Sequence, residues 1–193
     1  MERSHPDLVA LARLSVLDPV AGGRAVIALA PAMATRWMLL AAAVLVSVLL
    51  LYGLPVLAGE TEGMPPPLTF ALWQFGLNVL AAGLVAFIGQ VLGGRGRFAD
   101  ALLLMGWLQA LTVPLLVAQL VVILALPFFN VPVLVASVAV SIWLLTGFVC
   151  ALHGFRSRLT VLVVGIMVVM AVSMILSFVL VLMGYAPVGV TDV

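Results

Sequence analysis

The sequence predicts an all-α fold: a polytopic integral membrane helical bundle of five transmembrane helices, with the N-terminus cytoplasmic and the C-terminus outside. Three observations predict it. Of 193 residues, 66% are hydrophobic and 8% are charged, whereas a water-soluble globule runs near a quarter charged. Long charge-free runs alternate with short breaks rich in Gly, Pro and Arg. All eight basic residues are Arg, and they fall only in alternate breaks.

Residues 1–36 read as a cytoplasmic or interfacial leader carrying Arg3, Arg13, Arg24 and Arg36. Pro6-Asp7 opens a helical piece to Leu17, and Asp18-Pro19 stops it, because proline biases its predecessor away from helix. A second piece lies between Pro19 and Pro31, and neither is long enough to cross about 30 Å of hydrocarbon. Two readings fit the leader: an interfacial helix anchored by Arg, or a segment that packs on the bundle. The first long apolar run begins only at Trp37, too late for a cleavable signal.

Residues 37–183 form the membrane domain. Trp37 to Gly59 carries no charge over 23 residues, enough for one span at about 1.5 Å per residue. Trp37 and Tyr52 suit the aromatic belts. Glu60 to Gly63 followed by Pro65, Pro66 and Pro67 makes a turn that no helix can run through. The second span covers 68–92, with Trp73 near its start and a small-residue spacing, Gly89-xxx-Gly93, near its end. No acid, Lys or Arg occurs in residues 101–155. That length suits two spans, 101–126 and 133–152, broken at Pro127-Phe128-Phe129-Asn130-Val131-Pro132. The fifth span covers 159–183, and 184–193 is a short external tail.

Five crossings put the leader, the 93–100 loop and the 153–158 loop on one side. These hold four, two and two Arg, all eight in the chain, while the opposite segments hold only Glu60, Glu62 and Asp192. The positive-inside rule makes the Arg side cytoplasmic.

Val16-Leu17-Asp18-Pro19 leads into the first span. Gly93-Gly94-Arg95-Gly96-Arg97-Phe98-Ala99-Asp100 is followed by Gly106-Trp107 and Pro114. With five spans, these features resemble the bacterial branch of the Yip (Ypt-interacting protein) domain family over roughly residues 16–184. The resemblance implies the fold and a bacterial inner-membrane location. Eukaryotic relatives engage Rab-type GTPases, largely through a long polar N-terminal region. This chain has 36 residues there and lacks the Asp-Leu-Tyr-Gly-Pro signature, so GTPase binding does not carry over.

Gly94-x-Gly96-x-x-Ala99 fits a loose dinucleotide fingerprint, but that chemistry needs a preceding strand, and here a membrane span precedes it. In the bland account, Gly93, Gly94 and Gly96 allow a tight turn, Arg95 and Arg97 hold the loop cytoplasmic, and Asp100 favours the positive end of the third span. In the sharper account, Arg95 and Arg97 grip an anionic lipid headgroup or a partner. Cys150 and His153 share a helical face, but a Cys–His nucleophile needs an orienting third group, and two ligands make no zinc site. They read as a buried thiol and an interfacial imidazole; the only other histidine, His5, lies in the leader. Gln74, Asn78, Gln90, Gln109 and Gln119, with Thr112, Ser137, Ser141, Ser173 and Ser177, lie within the spans. Interhelical hydrogen bonding accounts for them, a polar conduit being the lesser reading. Pro114 should kink the third span.

These features predict a non-enzymatic membrane adaptor or organiser, with no catalytic residue, cofactor or metal. Its partners are the lipid bilayer, anionic lipids and other membrane proteins, and not nucleic acid, for the net charge is +1 with no clustered basic face. The alternative is a small transporter or channel component for a neutral solute. That reading is weakened because coupled carriers place an ionisable residue in the membrane.

Overall fold

In the computed structural model, which describes residues 7–59 and 62–184, two aspartates start the leader helices. Asp7 accepts from the backbone N–H groups of Val9 and Ala10, capping α1 (Leu8–Leu17). Asp18 accepts from those of Val20 and Ala21 and, with Pro19 in the first helical position, opens α2 (Pro19–Ala28). Each cap satisfies N–H groups that a helix start leaves orphaned. His5, Glu60 and Thr61 of the predicted turn, and tail residues 185–193 lie outside the described residues.

Four long helices follow in the first of two units, Met1–Arg156. These are α3 (Met33–Ala58), α4 (Pro67–Val91), α5 (Phe98–Ala125) and α6 (Asn130–His153). The second unit, Ser157–Val193, contains α7 (Arg158–Leu182), whose Thr160 N–H donates to the hydroxyl of Ser157 at 3.2 Å. Among the described residues, five helices are long and apolar enough to cross a membrane. No strand occurs among the described residues, so the fold is all-α.

Helix ends differ from the predicted spans where polar residues find partners. α3 begins at Met33 and takes in Arg36, and α5 begins at Phe98 and takes in Asp100. Both charges therefore sit in first turns of long helices, where the sequence reading left every span free of them. They pair: Arg36 Nη1 donates to Asp100 Oδ1 at 2.7 Å, and Arg36 Nε donates to the Pro31 carbonyl at 3.0 Å. The break predicted over 127–132 contracts to a 3-10 turn at Pro127–Phe129, and helix resumes at Asn130. Pro132 is tolerated because a first-turn N–H needs no helical acceptor. Pro114 lies inside a continuous α5. Tyr52 is no belt residue: it is buried, and its hydroxyl donates to the Pro65 carbonyl at 2.9 Å.

Of the two readings of the leader, packing on the helices is the one its contacts support. α2 lies against α6, and α1 against α2. A Cβ at Gly23 would stand 2.9 Å from that of Ala151, and one at Gly147 would run into Pro19. The Trp107 indole N–H donates to the Ser15 hydroxyl at 3.0 Å, which fastens α1 to α5. Ser15 in turn donates to the Leu11 carbonyl at 2.9 Å, so both polar groups are satisfied in an apolar setting.

Packing is uneven along the unit. α5 is buried continuously over Ala101–Trp107 and at no later position. α6 is buried only from Leu144 onward. Leu40, Val44, Leu102, Leu144 and Phe148 make an apolar core in this half. The arginine-bearing ends of α5 and α6 are therefore tightly held, and their opposite ends are looser.

Candidate functional site

The segment Leu92–Arg97 is built around one side chain, His153. α4 ends when Gly93 takes a left-handed conformation (φ 85°). The Gly94 N–H then donates to the Gly89 carbonyl at 2.8 Å, and the Gly93 N–H to the Gln90 carbonyl at 2.9 Å. That pair of bonds is the glycine-dependent Schellman helix end. The chain next runs across the end of α6, where the Gly96 N–H donates to Nδ1 of His153 at 3.1 Å. His153 Nε2 lies 3.1 Å from the Val85 carbonyl. A backbone N–H only donates and a carbonyl only accepts, so Nδ1 holds a lone pair and Nε2 carries the proton. Gln90 adds a third tie, donating from Nε2 to the Gly96 carbonyl at 2.6 Å.

This geometry corrects the account of the glycines. Only Gly93 needs its conformational freedom. Gly89, Gly94 and Gly96 lack side chains because the imidazole occupies that space: a Cβ on any of the three would overlap the ring. The close approach at Gly89 is to a ring, not to another helix backbone. His153 is likewise enclosed by protein. It is 4% exposed and stacks on Phe155 with centroids 5.3 Å apart. Both ring nitrogens are committed to backbone groups, which leaves none to activate Cys150, itself buried. Among the described residues, no group of three or more His, Cys, Asp or Glu is placed to hold a metal.

Arg95 and Arg97 flank Gly96 and are exposed. Neither guanidinium group forms a hydrogen bond or ion pair with a described residue. Arg24 and Arg156 are also exposed and close to the same end, since Gly23 meets Ala151 and Arg156 follows His153 by three residues. Asp100, an acid beside the loop, is taken by Arg36. The result is a loop of fixed backbone that presents two guanidinium groups with free donors. Such groups suit bidentate recognition of phosphate or carboxylate.

The intramembrane amides behave differently from the interhelical network predicted for them. Two of them bridge long helices, and Gln109 does so by donating to the Ser47 hydroxyl at 3.0 Å. Gln119 donates to the Asn130 carbonyl at 3.1 Å and also contacts Asn130 Oδ1. Asn78, Thr112 and Ser141 bond back to carbonyls of their own helices. Most of the polar residues converge on a cleft of about 310 Å³ between α3, α4, α5 and α6.

The signal that could have found the histidine socket was in the sequence: three glycines spaced around a break, and a lone His at the end of a span. The pairing was illegible because 57 residues separate Gly96 from His153. The family model described as the Yip1 domain matches residues 14–183. No curated protein and no solved structure matches the chain.

Proposed function

The chain belongs to the Yip1 domain family, and on that premise we propose that it is a non-enzymatic organiser of the bacterial cytoplasmic membrane, from the family's bacterial branch. It acts by holding anionic lipids or partner proteins at its arginine-bearing end. The observation that carries this reading is the pair Arg95 and Arg97, exposed and unpartnered on a loop that His153 immobilises. A loop that only pinned topology would need charge but not a fixed backbone. Each arginine near an anionic leaflet contributes about 1 kcal/mol, so two favour a headgroup measurably.

The test replaces Arg95 and Arg97 with Lys, which keeps the charge and removes the planar fork. The double variant should lose co-purifying anionic lipid in mild detergent, read by mass spectrometry. Retention equal to the parent would reduce the loop to a topological pin. Orientation is checked separately. The Arg count places this end in the cytoplasm, so a reporter active only there should work when fused before Met1 and fail after Val193. A cytoplasmic reading at both ends would require an even number of crossings and remove the five-span arrangement. The alternative role, a small transporter or channel component for a neutral solute, draws on the polar cleft. Against it stands the packed half of α5 and α6, buried over Ala101–Trp107 and from Leu144 onward.

A further inference from the structure

We propose that the cleft between α3, α4, α5 and α6 binds the glycerol–ester portion of an uncharged, hydroxyl-bearing membrane lipid of diacylglycerol type. The cleft is distinct from the arginine loop. Gln109 lies 11 residues beyond Phe98 along α5, which at 1.5 Å per residue is about 16 Å deeper, and Gln119 lies further still. Along α5 the buried run Ala101–Trp107 lies between the cleft and the arginine-bearing end. The cleft is partly open.

The lining dictates the ligand. No charged residue borders the cleft, so a phosphate or an ammonium group would enter low dielectric without a counter-charge. The polar groups are complementary to a neutral ester alcohol. Gln119 Oε1 is buried and accepts no hydrogen bond, while the amide nitrogen of the same side chain is committed to Asn130. An unfilled buried acceptor calls for a donor, and a ligand hydroxyl supplies one when the Gln119 side chain turns its oxygen toward the cleft it lines. Gln74 also lines the cleft, and its side-chain amide has no partner among the described residues. Its N–H groups suit an ester carbonyl. Between these amides the wall is apolar, formed by Leu51, Phe70, Leu115 and Leu134. A volume of about 310 Å³ holds the polar part of a lipid and the first carbons of its chains, and the open side lets the chains continue into the bilayer. A water-soluble polyol matches the polar groups and leaves the apolar wall uncovered.

The experiment titrates the full chain in mild-detergent micelles with dioctanoylglycerol, counting bound lipid by native mass spectrometry. Free glycerol and a short-chain phosphatidylglycerol are run as competitors. Binding of dioctanoylglycerol should be unaffected by either competitor. It should weaken about 3- to 30-fold in Gln74→Leu and in Gln119→Leu, the range for one hydrogen bond inside a membrane. Because Gln119 also bonds Asn130, Gln74→Leu decides the matter if the other variant does not fold. The Arg95→Lys, Arg97→Lys protein should bind dioctanoylglycerol like the parent, so loss of the arginine-loop reading leaves this one standing. Unchanged binding in Gln74→Leu overturns the site. Competition by glycerol would make it a solute site, and equal competition by phosphatidylglycerol would show that charge is not excluded; either result overturns the assignment.

Discussion

Gly89→Ala should destabilise the protein by about 2–4 kcal/mol, and the loss should disappear when His153 is also replaced by Ala. Two effects of opposite sign compete at Gly89. It lies within α4, where Ala is intrinsically favoured over Gly by about 1 kcal/mol. The new methyl, however, would occupy the position of the His153 ring. The ring must leave, giving up its bonds to the Gly96 N–H and the Val85 carbonyl. Each such bond contributes about 1 kcal/mol net, and a buried N–H left without an acceptor costs about 1–3 kcal/mol more. The clash wins. In a His153→Ala background there is no ring to displace, so Gly89→Ala should become neutral or slightly stabilising. Cys150 provides the readout: the only cysteine, 1% exposed, it should react with a thiol-reactive dye only as the protein unfolds on heating. Equal losses in both backgrounds would mean that the glycine serves the backbone and not the imidazole.

The contrast between helices and socket shows what the sequence holds. Charge-free runs and proline breaks mark the long helices because hydrocarbon leaves a backbone no choice but to bond within itself. Asp18-Pro19 marks a helix start for an equally local reason. What escapes is whatever depends on contacts across the sequence. Gly89 looks like a helix-contact glycine, and Gly94 and Gly96 like turn glycines, until His153 is placed among them. Ser15 is one more leader hydroxyl until Trp107, 92 residues away, is seen to bond it. The amides show the same gap in another form. Their presence in the spans was plain, but whether they paired with each other or bordered a cleft depended on the relative rotation of four helices, which an apolar sequence with little amphipathic asymmetry does not encode.

Arg36 and Asp100 offer a prediction in which the two halves of one ion pair differ. Removing the acid, as Asp100→Asn, should cost about 2–3 kcal/mol, whereas Arg36→Gln should cost about 1 kcal/mol. The pair lies between two limits: exposed pairs contribute about 0–1 kcal/mol, and breaking a fully buried one costs about 3–5 kcal/mol. With side chains 11% and 21% exposed, neither limit applies, and the helix ends decide the asymmetry. Asp100 stands in the first turn of α5, where the positive end of the helix favours a carboxylate even without a partner. Arg36 stands in the first turn of α3, whose start carries no side-chain cap, so the same field opposes it. Left alone, the less exposed charge is also the one in the wrong field. The exchange Arg36→Asp with Asp100→Arg restores a pair with one favoured and one opposed charge, and should recover most of the loss. Thermal unfolding of the three variants in one detergent measures the order. Equal penalties for Asp100→Asn and Arg36→Gln would mean that the helix ends contribute nothing here and that the pair acts by contact alone.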